Sequence, residues 1–285
     1  MTNLTKGAEK ERSIIFLHIP KAAGTTLYRI IDKQYEPKSI FTLDGFHPQE
    51  SIAEFKKLPE ARKREIKLIQ GHMRFGIHEY LPQPFTYMTV LREPVERIIS
   101  HYYFVRRTPR HYLYNEVTSK DMSLKDYVDS GISTELNNAQ TRLLAGVESS
   151  SFGQCSTEFL ETAKKNIQEH FAVVGLADKF EETLLLLKRV LGWKTPFYIR
   201  QNVTKDRPLK EDISEDALKI IEKYNEMDIE LYKYVKEMFE QTISQPENLS
   251  KMELERFKLL NGIYSKAYTY YCGVVNKVRA LGDTK

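Results

Sequence analysis

The chain has 285 residues, of which 41% are hydrophobic and 29% are charged, a composition typical of a soluble globular protein. Its formal net charge is only +4, and no dense lysine and arginine tract alternates with aromatic residues, so the composition argues against a nucleic-acid partner. Two cysteines are too few for a disulfide framework and are typical of a reducing compartment.

The amino terminus shows no targeting signal. Residues 1–12 are polar, and the chain contains no run of about 18 apolar residues. The sequence therefore predicts a cytoplasmic protein without a transmembrane segment. We expect a polar tail over 1–12, an α/β domain over 13–244 and a helical C-terminal extension over 245–285.

The stretch from Ser13 to Tyr35 predicts a buried strand, a tight turn and the start of a helix. Ile14, Ile15, Phe16, Leu17 and Ile19 form a short apolar run, typical of a parallel strand covered on both faces. The turn and the helix cap consist of Lys21, Ala22, Ala23, Gly24, Thr25 and Thr26. Small residues at a helix N-terminus let backbone N–H groups approach an anion. From this stretch alone, an equally good interpretation is an ordinary strand, turn and helix that carry a lysine without binding an anion.

A second strand and helix are predicted over 85–107. Arg92 comes at the carboxyl end of this strand, the edge where open α/β sheets bind ligands. Pro94 is suited to the first position of the helix, and Ser100 lies two turns into it. An arginine with a hydroxyl nearby is suited to a phosphate monoester.

A histidine follows a third predicted strand, over 66–70. We expect His72 on the same rim as Lys21 and Arg92, where it could meet a sugar hydroxyl. On position alone a structural role is the better interpretation, because a lone histidine is more often structural than catalytic. His78 is the second candidate in this region.

Other segments carry weaker indications. Residues 106–120 predict a surface loop in which Arg106 could contact an anionic acceptor, and a solvated loop is an equal interpretation. Gln140 and Arg142 lie on a predicted helix, where polar residues are normally just the solvated face. The remaining expected elements are a loop at 35–48, a helix at 49–65, a strand at 171–176 and an edge strand from 197. The other expected helices lie at 123–130, 134–144 (the one with Gln140 and Arg142), 158–169, 180–191 and 214–242, with one or two more over 249–279.

Two segments in particular resemble a known family. IPKAAGTTL (19–27) and LREPVERIISHYYF (91–104) are similar to the two cofactor motifs of the carbohydrate O-sulfotransferases, which use 3′-phosphoadenosine 5′-phosphosulfate (PAPS). Residues 137–146, 163–180 and 197–239 resemble the heparan sulfate 6-O-sulfotransferases, and IQGHMRF (69–75) also resembles the 2-O branch. The resemblance covers about 13–240.

This resemblance implies a P-loop-like sulfotransferase fold, with a mostly parallel central sheet and helices on both faces. It implies sulfuryl transfer from PAPS to a carbohydrate or similar hydroxyl, leaving adenosine 3′,5′-bisphosphate (PAP), without a metal. The membrane-anchored Golgi enzymes of animals belong to this family, so the polar amino terminus suggests either a soluble bacterial-type member or a shortened chain.

The resemblance also assigns roles to residues. The turn from Lys21 to Thr26 would hold the 5′-phosphosulfate, and Arg92 with Ser100 the 3′-phosphate. His72, in a matching Gly-His context, would be the general base, and Lys21 would stabilise the leaving nucleotide. The further implied contacts are Asn202, Thr204 and Lys205 to the nucleotide, and Arg74, His78, Arg106, Gln140 and Arg142 to the acceptor.

Two other functions stay open, and the turn differs from that of many relatives at one point. A P-loop kinase of a small molecule is disfavoured because GK[ST] is absent and no magnesium-binding carboxylate is evident at a strand end. A non-catalytic nucleotide- or glycan-binding module would keep the fold alone. Many relatives carry Thr-Gly or Thr-Ala where this chain has Ala22 and Ala23, so backbone contacts would replace a side-chain hydroxyl. The sequence determines neither the acceptor nor the oligomeric state.

Overall fold

The computed structural model describes residues 12–45, 47–147, 151–199 and 212–282. The strands of these residues are β1 (Ser13–Leu17), β2 (Ile40–Thr42), β3 (Leu68–Gly71), β4 (Phe85–Leu91) and β5 (Phe171–Leu176). They form one sheet in the order β2-β3-β1-β4-β5, in which all neighbours are parallel. The predicted α/β fold with a mostly parallel central sheet is confirmed.

Strand β1 lies at the centre of the sheet, between β3 and β4. All five of its residues are buried, which explains the unbroken apolar run, since a central parallel strand is covered on both faces. Leu17, its last residue, is level with Gly71 of β3, and Leu91 ends β4. Because these strands are parallel, the segments that follow them meet at one edge of the sheet.

Helices surround the sheet. Those of the described residues are α1 (Gly24–Ile31), α2 (Pro48–Lys57), α3 (Glu60–Glu65), α4 (Pro94–Arg106), α5 (Tyr114–Ser119), α6 (Leu124–Asp129), α7 (Ala139–Ala145), α8 (Thr157–His170), α9 (Phe180–Leu191), α10 (Glu215–Tyr224), α11 (Glu226–Ile243) and α12 (Lys251–Gly282). The main core packs the strands against α1, α8, α9 and α11. A second hydrophobic cluster joins α4, α5, α6 and α10. Strand β5 and helix α9 have the predicted bounds.

Two departures from the sequence-based expectation lie before β3. The segment 35–48, expected as a loop, contains β2, whose three residues are too few to show an alternating pattern. The single helix expected over 49–65 is divided into α2 and α3 at Leu58 and Pro59. Proline disfavours a helical conformation at the residue before it, and Leu58 has an extended ψ of 140°.

Paired asparagines break two other expected helices. Asn138 is left-handed, with φ of 50°, and separates a 3-10 turn at Thr134–Leu136 from α7. Asn225 separates α10 from α11 within the expected helix over 214–242. Asn225 Oδ1 accepts the Asn138 N–H at 3.1 Å, and Asn138 Oδ1 accepts the Asp228 N–H at 3.0 Å. The two breaks therefore stabilise each other through tertiary contacts.

The remaining differences concern chain segments near the surface. The expected loop 106–120 contains α5, and α12 is one continuous helix. Residues 197–199 form no strand, and the rest of the predicted edge-strand region, with Asn202, Thr204 and Lys205, lies outside the described residues. No helix in the described ranges is long and apolar enough to cross a membrane. The division at residue 244 into a domain and an extension stays a prediction.

A buried carboxylate joins α11 to α7. Asp228 is fully buried and accepts hydrogen bonds from the N–H groups of Gln140 at 3.1 Å and Thr141 at 2.7 Å. Its Oδ2 lies 3.9 Å from Nη2 of Arg97, which is also fully buried. The carboxylate thus caps the start of α7 and neutralises a guanidinium that water does not reach.

We expect Asp228→Ala to lower the free energy of unfolding by about 3–5 kcal/mol, because it leaves the buried Arg97 without its counter-charge. Urea unfolding followed by circular dichroism measures this loss. Glu230→Ala is the control in the same helix; Glu230 pairs with Lys233 at the surface, and its loss should change stability by about 0.5 kcal/mol or less. Similar stability losses for the two variants would contradict the prediction.

Candidate functional site

A cleft of about 2010 Å³ opens at the carboxyl edge of the sheet. Its wall includes the segments that follow β1, β3 and β4, part of α4 and the turn before α7. The predicted site residues that line it are Lys21, Ala23, Gly24, Thr25, Thr26, His72, Arg74, Arg92, Ser100 and Arg142. The parallel sheet brings these separate segments together, as expected for a ligand site at the strand ends.

The turn between β1 and α1 contains two left-handed residues that are not glycine. Lys21 has φ of 67° and Ala23 has φ of 62°, a conformation that costs each residue on the order of 1 kcal/mol. Ala23 is the N-cap of α1, and no side chain caps that end. Since the first-turn N–H groups of a helix have no intrahelical acceptor, this end of α1 is suited to an anion. Ala22 is buried, and its N–H donates to the Ile19 carbonyl at 3.3 Å, so it supports the turn from within.

Gly24 leaves room for a histidine ring at the end of β1. A Cβ at Gly24 would lie 1.7 Å from His18 Nε2. The His18 ring stacks on the His72 ring, with centroids 4.2 Å apart, and its Nδ1 is 3.0 Å from the Tyr28 hydroxyl. Burial, together with His72 and Lys21, lowers the pKa of His18 well below its ordinary value of 6.5. His18 is therefore neutral at pH 7, and its ring supports the ring of His72 by stacking.

The His72 ring is held in one tautomer by the backbone. Its Nδ1 lies 3.0 Å from the His18 carbonyl oxygen, and because a carbonyl only accepts, Nδ1 carries the proton. In the neutral ring Nε2 then keeps its lone pair. Burial lowers the pKa of His72 below 6.5, against the opposing effects of the His18 carbonyl and Glu135. At pH 7 His72 is thus a neutral base within the cleft wall.

Lys21 provides a cation whose charge is incompletely balanced by its surroundings. Its Nζ lies 3.7 Å from the centroid of the Phe104 ring on α4, a cation–π contact. Burial, followed by the charges of Arg107 and Arg92, lowers the pKa of Lys21 to about 8. The ammonium is still mostly charged at pH 7, and a bound anion would stabilise that charge.

Arg92 is held from both its side chain and its backbone. Nη1 donates to the Lys21 carbonyl at 3.1 Å and Nη2 to Glu96 Oε2 at 3.2 Å. Gln140, a predicted acceptor contact, is fully buried. Its Oε1 accepts the Arg92 N–H at 3.0 Å and its Nε2 donates to the Arg92 carbonyl at 2.9 Å. The structure therefore places Gln140 behind Arg92, where it positions that residue.

The other predicted acceptor contacts divide into two groups. Arg74 and Arg142 line the cleft, and Arg142 Nη2 also donates to Asn137 Oδ1 at 2.6 Å. His78 stacks on Phe85 at the start of β4, and Arg106 Nη2 pairs with Asp121 at 3.0 Å. The last two candidates, His78 and Arg106, do not contribute to the described cleft wall.

The cleft also contains a carboxylate that is not among the predicted site residues. Glu135 lines it, and its Oε2 accepts a hydrogen bond from His101 Nε2 at 2.7 Å. Burial alone would raise the pKa of Glu135, but the bond from His101, the proximity of His101, and Arg97 and His72 hold it at about 2. No local pattern marks Glu135, because it lies in the short 3-10 turn before Asn138 where the sequence predicts a regular helix.

Among the described residues, no cluster of three or more histidine, cysteine, aspartate or glutamate side chains is arranged to hold a metal ion. The groups that converge in the cleft include a neutral imidazole, several cations, an uncapped helix end and the Glu135 carboxylate. This combination is suited to binding an anionic group and accepting a proton beside it.

Comparisons with known proteins agree with the geometry. A family model described as galactose-3-O-sulfotransferase matches residues 3–259. Heparan-sulfate 6-O-sulfotransferase 1 of Homo sapiens is 30% identical over 200 residues, covering 60% of this chain and 47% of that protein. Galactosylceramide sulfotransferase of Mus musculus is 25% identical over 251 residues, covering 82% and 58%. The predicted likeness to the 6-O branch is confirmed, and the chain spans about half the length of the curated relatives it matches.

Among solved structures, the mouse sulfotransferase SULT7A1 complexed with PAP aligns with a TM-score of 0.37 at 12% identity, over 75% of this chain and 65% of that one.

We expect Gly24→Ala to push the His18 ring away from His72, because the added methyl group would occupy the same space. His72 then becomes less buried, and its pKa rises toward 6.5. Imidazole resonances followed by NMR against pH measure this change. Gly45→Ala is the control, since a Cβ there meets no atom within 4 Å. A His72 titration that is identical in Gly24→Ala and the wild type would refute the prediction.

Proposed function

The chain belongs to the galactose-3-O-sulfotransferase family, and we propose that it transfers a sulfuryl group from PAPS to a hydroxyl of a saccharide acceptor. One observation supports this proposal above the others. His72 Nδ1–H donates a hydrogen bond to the His18 carbonyl, which leaves Nε2 as a base in the same cleft as Lys21 and Arg92. A base beside an anion site is what transfer of an anionic group to a hydroxyl requires.

The donor would bind through cations and backbone at the rim. We assign the 5′-phosphosulfate to the N-terminus of α1 and Lys21, and the 3′-phosphate to Arg92 and Ser100. The donor is negatively charged, which suits these groups. The end of α1 has no side-chain cap, and Arg107 and Arg92 repel the positive charge of Lys21, which a bound anion would stabilise. Asn202, Thr204 and Lys205 complete the proposed nucleotide contacts.

In the reaction, PAPS supplies the sulfuryl group and leaves as PAP. His72 Nε2 takes the proton from the acceptor hydroxyl as its oxygen forms a bond to sulfur and the bond from sulfur to the phosphate oxygen breaks. Lys21 neutralises the negative charge that develops on that phosphate oxygen. Positioning and charge stabilisation carry most of such a reaction, as in phosphoryl transfer.

The proposed acceptor is a saccharide. The relatives are named for heparan sulfate and galactosylceramide, and both names denote molecules that carry sugar hydroxyls. The cleft is lined by both charged and aromatic side chains, which suits a sugar.

Calorimetric titration with PAP, with ADP plus magnesium as the comparison, tests the donor. We expect PAP to bind the wild type more tightly than ADP, and Arg92→Ala to weaken PAP about 10- to 100-fold through loss of charged hydrogen bonds to phosphate. Arg106→Ala is the matched control, because Arg106 pairs with Asp121 away from the cleft. If ADP with magnesium binds as tightly as PAP, the proposed sulfotransferase function is wrong and a kinase function is favoured.

His72→Ala should lower turnover about a hundred- to ten-thousand-fold, because it removes the general base. PAP affinity should change far less than in Arg92→Ala, because His72 makes none of the proposed donor contacts. Since burial lowers the pKa of His72 below 6.5, wild-type turnover should stay unchanged as the pH is lowered from 7 to 6.5 and should fall below that lowered pKa, as the base becomes protonated. Sulfate transfer from PAPS at saturating acceptor measures both effects.

His78→Ala is the control for this experiment, because His78 packs on Phe85 and Tyr87 and is not part of the described cleft wall. Equal turnover in His72→Ala and the wild type would refute the assigned base. PAP binding without transfer to any saccharide would instead indicate a non-catalytic module.

A further inference from the structure

We propose that Glu135 binds the acceptor, with its carboxylate accepting hydrogen bonds from hydroxyls of an uncharged sugar next to the hydroxyl that His72 deprotonates. This inference rests on the proposed function and assigns an acceptor subsite within it. Glu135 belongs to the 3-10 turn before α7, whereas the proposed donor contacts come from the β1–α1 turn and the start of α4.

The main chain of Glu135 is held in place by a buried arginine. Arg97 is fully buried, and its Nη2 donates to the Glu135 carbonyl at 2.8 Å. Arg97 in turn lies beside the buried Asp228. Burying a guanidinium is costly unless it is paired and hydrogen-bonded. The turn that carries Glu135 is therefore anchored to the interior of the protein.

The side chain of Glu135 is held by a separate chain of hydrogen bonds. Its Oε2 accepts from His101 Nε2 at 2.7 Å, and His101 Nδ1 lies 2.9 Å from the Tyr127 hydroxyl. Because an ionised carboxylate only accepts, His101 Nε2 carries the proton, and in the neutral ring Nδ1 accepts from Tyr127. The His101 ring is only 2% exposed, while 35% of the Glu135 side chain stays exposed. The exposed part of Glu135 belongs to the cleft wall.

The Glu135 carboxylate is held in the cleft wall, where its exposed part can accept hydrogen bonds from a ligand other than the donor. It lies close enough to Lys21 and His72 to favour their charged forms, yet it would repel phosphate and sulfate groups. A hydroxyl of a sugar can donate to it, whereas a carboxylate or sulfate on the acceptor cannot. The carboxylate thus favours uncharged acceptors over anionic ones.

The other charges of the described wall agree with an uncharged acceptor. Seven lysines or arginines line it, against five carboxylates including Glu135. The positive surplus is small compared with the roughly four negative charges of PAPS at neutral pH. Once the donor is bound, the described wall holds no excess of cations for a polyanionic acceptor.

The test uses Glu135→Gln in the full-length protein with saturating PAPS. Lactose is the uncharged probe and heparosan the anionic one. We expect the KM for lactose to rise about 10- to 100-fold, as a charged acceptor of hydrogen bonds is lost. The ratio of kcat/KM for lactose over heparosan should fall by at least a similar factor. PAP affinity, measured by calorimetry, should stay equal or increase.

Glu161→Gln is the control, since Glu161 pairs with Lys164 at the surface and is not part of the described cleft wall, and it should leave the lactose preference unchanged. An unchanged lactose KM in Glu135→Gln would overturn the proposal, as would a lower kcat with a shifted pH profile and the same KM, which indicates an effect on His72. Failure of the wild type to use lactose would also overturn it. Failure of the wild type to bind PAP would instead overturn the proposed function.

Discussion

The site depends on the hydrogen bond between the His18 carbonyl and His72 Nδ1. This one contact joins the end of β1 to the segment after β3 and determines which nitrogen of His72 has a lone pair. The His18 ring stacks on His72 and rests where Gly24 has no side chain. The strand end, the helix start and the base are therefore positioned together, and none can shift without disturbing the others.

A second level of support for the cleft comes from α11 and from α7, part of which lines the cleft. Asp228 holds the first turn of α7, and Gln140 of α7 pairs with the main chain of Arg92. The same Asp228 neighbours Arg97, which holds the main chain of Glu135. One buried carboxylate thus stabilises the fold and, through two different residues, positions both the proposed 3′-phosphate site and the proposed acceptor subsite.

The correct predictions rest on residues that lie close together in the sequence. The apolar run of β1 and the Lys21 turn lie within a single stretch, and Arg92 and His72 directly follow strands, so their meeting at one rim follows from parallel topology. The wrong predictions concern features that depend on contacts between residues far apart in the chain. Asn138 and Asn225 interrupt helices because they bond to each other's segments, and Gln140 has the composition of a solvated face but is fully buried.

The sequence by itself determined four of the five described strands, the tight turn after β1 and the family likeness, because periodicity and motif spacing are properties of neighbouring residues. Only the tertiary structure decided the tautomer of His72, the supporting role of Gln140 and the presence of Glu135 in the cleft. These depend on hydrogen bonds between segments far apart in the chain, and their free energy comes from burial that no single stretch can achieve alone.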